Sequence, residues 1–348
     1  MLVYEIDSIQ KEMQGMATIS EIAKAAGVGV TTVSRYLNHH PYISAEKRTR
    51  IEKAIHQLGY TPSAAATSLR AQATGNIGVL VSRVTNPFFA GLFDAIEREL
   101  HAHGYQVMIT QTYDDPEAEE RFLKQLKSRE LDGVILASVE APDRVMAVAK
   151  AFPGRVVVVN ADVQIPGATS LVLPHYQATR DALDYLFNQG HRRFAYVSGG
   201  TISGAHHGQS RTQAFLDFMQ AHQLLVAQDL LFGQIHTAKE GQAVGKQLAS
   251  LAPNVRPDAV FTNSDEVAVG VIDSLLAADV KVPDDIAVMG YDDQPFAPFA
   301  KIPLTTVHQP VASMAAAATH ELLKGLGRQV AQDTQPTLHL SLKIRQSA

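Results

Sequence analysis

Residues 18–38, TISEIAKAAGVGVTTVSRYLN, leave the chain few conformational choices. Thr18 and Glu21 have the T-x-x-E spacing of a capping box, which predicts a helix beginning at Ile19. Ile19, Ile22, Ala23 and Ala26 then fall on one apolar face. Gly27 stops that helix, because a residue without a Cβ reaches the left-handed conformation that a tight turn needs. A second helix is expected over residues 30–37, with Val33 and Leu37 facing inward. Two short helices joined by a glycine turn form a helix-turn-helix, whose second helix can enter the major groove of DNA. Its exposed face would carry Thr31, Thr32, Ser34 and Arg35, all able to bond phosphate or base edges. An ordinary helical hairpin has the same pattern, so the rest of the chain must decide.

The net charge of −5 is unevenly spread. Residues 16–75 hold seven Lys or Arg against three acids, a net of +4, while residues 1–15 carry −2 and residues 76–348 carry −7. A basic module on an acidic body suits a nucleic-acid-binding head joined to a ligand-binding body. At 348 residues and 46% apolar, the chain can form two or three well-cored domains. No run of 18 apolar residues suggests a membrane span, and the first 15 residues do not read as a signal peptide. Zero cysteines exclude disulfides, thiolate metal sites and cysteine nucleophiles, and fit a reducing cytoplasm. Residues 1–15 lack periodicity and read as a disordered extension; Met16 is a candidate start of translation.

After the second helix, Ser44 can cap a third that reaches about Leu58, with Ile51, Ala54, Ile55 and Leu58 as its stripe and Gly59 as its stop. Pro62 halts the chain, and Ser63 can cap a short helix over 64–70 that is too short to hold alone. Leu69, apolar on a nominal linker, is a candidate wedge for the minor groove, against the alternative of a plain flexible linker. From Asn76 the pattern changes to short apolar runs alternating with helices: 77–82, 105–110, 133–138, 155–160 and 170–174, then 193–199, 230–235, 258–263 and 285–291. Such alternation gives parallel sheets flanked by helices, and a helix over 176–189 between the series divides them into two lobes. The expected division is an extension (1–15), a three-helix head (16–61), a hinge (62–75) and a body (76–348). Lobe one takes about 76–175 with a return over 308–325; lobe two takes about 176–304 with the final strand. A cleft between such lobes is the default ligand site.

An ordered series of motifs then resembles the LacI/GalR family of bacterial transcription regulators. It comprises 18–38, Tyr60-x-Pro62 running to Leu69-Arg70, Thr85-Asn86-Pro87-Phe88-Phe89, Gly190-His191-Arg192, Ser264-Asp265-x-x-Ala268, Gly290-Tyr291-Asp292-Asp293, Thr305-Thr306-Val307-x-Gln309-Pro310 and Arg345-x-Ser347. The resemblance covers residues 17–348. It implies an α/β protein: a helix-turn-helix head on a two-lobed body like a periplasmic binding protein. It also implies a homodimer on a near-palindromic double-stranded operator, a repressor of a carbohydrate-utilisation operon controlled by a small ligand, a sugar or sugar phosphate, and working in the cytoplasm on the nucleoid. Carried over by position, Val30 and Thr31 choose bases and Arg35 faces the groove. Thr18, Thr32, Ser34, Asn38 and Ser44 hold phosphates, and Tyr60 belongs to the DNA-binding set. Leu69 is the wedge, with Ala65 and Ala66 packing hinge on hinge. In the cleft, Asp292 and Arg211 clamp ligand hydroxyls, Phe88 and Phe89 form an apolar wall, and Ser264 and Asp265 lie at a strand mouth. Asp265 has a second reading as the cap of a helix starting at Glu266.

Three departures stand out. Gly29 replaces the usual capping Ser or Thr, Pro174-His175 replaces Asp-Asn, and Ala205-His206-His207-Gly208 lacks the extra arginine of purine-binding members. The last speaks against a nucleobase effector, the alternative within the family. The adjacent pairs His39-His40 and His206-His207 do not make a metal site, and no cofactor is expected. No Rossmann, P-loop or nucleophile-elbow motif supports an enzyme. A transporter's sugar-binding protein would share the body, but not the basic head.

Overall fold

The structure, a computed structural model, describes residues 17–37, 40, 42–60, 73–161, 164–202, 208–330 and 338–348. The expectations placed on residues 1–15, on Asn38, on the hinge with Ala65, Ala66 and Leu69, and on His206-His207 lie outside them. The chain divides after Thr74 into two compact units.

The head contains α1 (Ile19–Ala26), α2 (Val30–Leu37) and α3 (Ala45–Leu58). Thr18 and Glu21 close a full capping box at the start of α1. Gly27 ends it at φ 61°, with its N–H on the carbonyls of Ala23 and Lys24. The Arg50 guanidinium donates to the Gly27 carbonyl at 2.9 Å, which ties α3 to the turn. Ile22, Val33 and Ile51 are fully buried, with Ala23, Ala26 and Ala54 beside them. Leu58 departs from the expected stripe: it is 38% exposed, because the last turn of α3 runs past this small core. Ser44 occupies the cap position of α3 but makes no side-chain capping bond. The Ser44 carbonyl accepts from Arg48 instead.

The body is built on two sheets. The first is wholly parallel in the order β2-β1-β3-β4-β5, from β1 (Asn76–Val81), β2 (Gln106–Gln111), β3 (Gly133–Leu136), β4 (Val156–Ala161) and β5 (Thr169–Val172). Successive residues of β1 serve opposite cores. Ile77, Val79 and Val81 pack with α4 (Pro87–Ala102) and α11 (Val311–Gly325). Leu80 joins the core under α5 (Pro116–Lys127) and α6 (Pro142–Ala151).

The second sheet runs β11-β10-β9-β8-β6-β7, from β6 (Phe194–Val197), β7 (Leu231–Phe232), β8 (Ala259–Phe261), β9 (Ala287–Asp292), β10 (Thr305–His308) and β11 (Ser341–Lys343). Only β11 is antiparallel to its neighbour, β10. α7 (His175–Asn188) and α8 (Gln209–Ala221) cover one face; α9 (Ala238–Ser250) and α10 (Asp265–Ala277) cover the other. A Cβ at Gly270 would collide with the Ala238 carbonyl and one at Gly241 with the Val267 carbonyl, so α9 and α10 meet backbone to backbone.

The chain passes between the sheets three times: from β5 to α7, from β10 to α11 and from α11 to β11. His308 still belongs to the second sheet, opposite Asp292, so the return to the first begins only after it.

Candidate functional site

On the head, α2 buries Val33 and turns the opposite side outward. Val30 is 49% exposed, Thr31 and Arg35 are exposed, and Thr32 and Ser34 are half-buried. The missing side-chain cap at Gly29 does not prevent a first turn. The Gly29 carbonyl accepts from Thr32 at 2.8 Å and from Val33 at 3.2 Å. Ser44 is exposed, with its hydroxyl unused by the cap. Thr18 is different: its hydroxyl donates to Glu21 Oε2 (3.0 Å) and accepts from the Glu21 N–H (3.3 Å). The structure thus gives Thr18 a capping role. Tyr60 is half-buried against the small core. Tyr36 escaped the sequence reading. Its hydroxyl donates to Glu52 at 2.9 Å and the Arg48 guanidinium lies over its ring, which holds α2 to α3.

In the body, a cleft opens at the carboxyl ends of strands from both sheets. Lobe one contributes Ser82, Arg83, Asn86, Phe88, Phe89, Asp114 and Asn160; lobe two contributes Arg211, His236, Asn263, Ser264, Asp292 and Gln309, with the backbone at Gly199 and Gly200. The start of α4 positions the aromatic wall. Asn86 caps it by accepting from the Phe88 N–H at 2.9 Å, and Pro87 stands at its first position, where no N–H is needed. The rings of Phe88 and Phe89 meet edge to face at 5.3 Å.

Opposite, Arg211 projects from the first turn of α8. Its guanidinium stacks 4.6 Å above the Tyr291 ring and donates to the Asn263 carbonyl at 3.0 Å. Asp292 ends β9 at φ 107°, a backbone conformation that residues with a Cβ rarely adopt. Its carboxylate accepts from the Gln309 amide at 2.8 Å and the Gln294 amide at 3.3 Å. Burial pushes Asp292 up to about 7, against the lowering influence of Gln309, Arg211 and Gln294. Across the cleft, Asp114 accepts from Ser82 at 2.5 Å and pairs with Arg83. His236, half-buried beside that pair, is held below its ordinary value by burial and by Arg83. Two buried amide oxygens, Asn263 Oδ1 and Gln309 Oε1, have no hydrogen-bond partner among the described residues.

The cleft thus brings Phe88, Phe89, Arg211, Ser264 and Asp292 together. It does not include Asp265. Ser264 caps α10 by accepting from the Val267 N–H at 3.3 Å, so Asp265 falls one position into the helix and points behind the cleft. There it is fully buried, accepting from the Gln294 N–H at 2.6 Å and the Thr306 hydroxyl at 2.5 Å. Burial, reinforced by Asp292, raises its carboxyl to about 8. Asp265 therefore joins α10 to β10 and to the loop after β9; the capping reading of this residue is corrected as well. Sequence reading missed Arg83, Asp114, Asn160, His236, Asn263 and Gln309. Only Gln309 lay within a noted motif, and nothing local marks the others as cleft residues.

In this arrangement the Ser82 hydroxyl is bonded to the Asp114 carboxylate, which is itself paired with Arg83. Among the described residues no group of three His, Cys, Asp or Glu could hold a metal ion. What it offers is a polar slot with one aromatic wall, suited to a small ligand rich in hydroxyl groups.

Comparison with known proteins agrees with both parts. Residues 18–63 match the model of bacterial regulatory proteins of the lacI family, and residues 183–348 match a periplasmic binding protein-like domain. The ribose operon repressor of Escherichia coli K12 is 32% identical over 93% of this chain and 95% of its own length. A LacI family transcriptional regulator from Lactobacillus casei, solved with bound glucose and with bound TRIS, is 98% identical over 78% of this chain and 99% of that one, with a TM-score of 0.76. The lac repressor dimer bound to operator and an anti-inducer has the same fold, at 24% identity and a TM-score of 0.77 over 95% of this chain and 99% of its own.

Proposed function

We propose, for a chain that belongs to the LacI family of bacterial transcriptional regulators, that it represses a carbohydrate-utilisation operon and leaves its operator when a neutral sugar fills the interlobe cleft. It is a DNA-binding regulator and not an enzyme. The observation that carries the choice of ligand is the cleft's charge balance. Arg83 is paired with Asp114, and Arg211 stands within Coulombic reach of Asp292. A phosphate would meet two acids for its two cations. Hydroxyl groups instead satisfy the two orphaned amide oxygens, Asn263 Oδ1 and Gln309 Oε1, each costly to leave buried and unbonded. A pyranose face suits the Phe88–Phe89 wall. Glucose, the ligand named for the Lactobacillus casei regulator, is the first candidate.

On the DNA side, Val30 and Thr31 read bases with Arg35, while Thr32, Ser34, Asn38 and Ser44 hold phosphates. Val30 has no hydrogen-bonding side chain and is assigned to a thymine methyl. The segment 64–70 orders as a hinge in the DNA complex, Ala65 and Ala66 meeting their counterparts across the dyad and Leu69 wedging the minor groove. The active form is a homodimer on a near-palindromic site. Supporting this, the outer strand of the first sheet leaves Met108 and Ile109 46% and 39% exposed. Among the described residues no helix is long and apolar enough to cross a membrane. The proposed location is the cytoplasm, on the nucleoid when bound.

The test is to select the preferred duplex from a randomised library and titrate the full chain onto it by fluorescence anisotropy. Glucose should weaken binding at least tenfold, whereas glucose 6-phosphate and adenine should not. Failure to select any duplex, or an affinity indifferent to glucose, would refute the reading.

A further inference from the structure

The departure Pro174-His175 acquires a role in the folded body. His175 opens α7 directly after the first passage between the lobes, and it is buried, at 4% exposure. Its Nε2 lies 2.9 Å from Asn160 Oδ1, and Asn160 is the next-to-last residue of β4 in the first sheet. Its Nδ1 lies 2.7 Å from the Tyr291 hydroxyl, and Tyr291 is fully buried in β9 of the second sheet. An amide oxygen only accepts, so in the neutral ring Nε2 carries the hydrogen and Nδ1 accepts the Tyr291 O–H. One imidazole thus bonds to both lobes at the place where the chain crosses between them.

Two further observations connect this bridge to the ligand site. Asn160 has a φ of 62° and sits where the β4–β5 register slips, so a bulge turns its side chain out of the ladder and into the cleft lining. The Tyr291 ring lies under the Arg211 guanidinium, which also lines the cleft. The sequence Arg211–Tyr291–His175–Asn160 therefore leaves the cleft on lobe two and re-enters it on lobe one. A ligand that shifts Arg211 moves the ring that holds one end of the bridge. A buried histidine satisfied for packing alone would need no partners on opposite lobes, and neither partner here is a near neighbour in sequence.

We propose that His175 is a positioning residue that couples occupancy of the cleft to the relative placement of the lobes, through Tyr291 on one side and Asn160 on the other. The inference rests on the reading above, that a sugar in this cleft controls operator binding. Coupling between two sites requires an element whose arrangement both ligands bias. The bridge is such an element, with its two bonds anchored on the two bodies that must move.

The experiment measures the coupling ratio, the operator dissociation constant with saturating glucose divided by that without it, for the full chain. Wild type is compared with Tyr291→Phe, which removes one oxygen and keeps the ring beneath Arg211, with His175→Phe, and with the double variant. Each single variant should lower the ratio at least fivefold, and the double variant should fall no further than the lower single. A merely structural role would lower the thermal midpoint and leave the ratio of the folded protein at the wild-type value, which would overturn the proposal. Should His175→Phe fold poorly, Tyr291→Phe alone decides by the same two outcomes. A wild-type ratio of one sinks the sugar reading and the bridge with it. A wild-type ratio well above one, with unchanged variants, sinks the bridge alone.

Discussion

The proposed reading face of the head comes from eight consecutive residues of α2, whereas the cleft collects side chains from separate segments between Ser82 and Gln309. In the head a single buried spine, Val33 over Ile22 and Ile51, sets the phase of the helix and so decides which residues face out. In the cleft the groups depend on one another. Asp292 is shaped by Gln309, Gln294 and Arg211, and Arg211 rests on Tyr291. Substitutions on the exposed face of α2 should therefore act independently, while those in the cleft should be coupled.

The strongest way to break this contrast is to remove the spine. Ile22→Ala in so small a core should cost about 2–5 kcal/mol and unfold the head. Operator binding should vanish while calorimetric glucose binding stays at the wild-type level. Loss of both would show that the two units are not energetically separate.

A smaller effect concerns the buried acids. Asp265, Asp292 and Glu140, a buried residue of the loop before α6, have folded values raised to about 8, 7 and 7, chiefly by burial. The folded chain then holds more protons than the unfolded one between about pH 4 and pH 8. Stability from this source is complete at the acid end of that window and is lost as pH rises through the folded values. Asp265→Asn, which removes a buried charge and leaves an oxygen for the Gln294 N–H, should raise the melting temperature at pH 9 by about 3–8 °C and hardly change it at pH 5. Equal shifts at both pH values would show that Asp265 is not burying charge.

The smallest expected effect tests the head's local character. Thr18→Ala removes the α1 cap and should cost about 1 kcal/mol. It should weaken operator binding modestly, with no change in the preferred sequence found by selection. A changed preference would mean that Thr18 reads DNA as well as capping α1.

The same contrast explains what the sequence made legible. A capping box and a glycine stop act over three or four residues, so the boundaries of α1 and the inward face of α2 are written locally. The alternation of strands and helices in the body is local too, and so is the pair of lobes it implies. The composition of the cleft is not. Arg83, Asp114 and His236 meet only because loops follow three strands in two sheets, and no residue near them in sequence reveals that meeting. Asp265 shows the limit most sharply. Acids at positions 264, 265 or 266 would look alike in a string, but Ser264 takes the cap. That one-residue phase places Asp265 outside the cleft lining and on Thr306.

The three passages between the sheets also govern how the protein is made. The first sheet is finished once β5 has emerged, yet α11, which covers one of its faces, lies beyond every strand of the second lobe except β11. At ordinary elongation rates that helix follows β5 by on the order of ten seconds. Throughout that interval the nascent first lobe exposes an apolar face centred on Ile135, Val157 and Val159. Ribosome-proximal chaperones have their clearest target there.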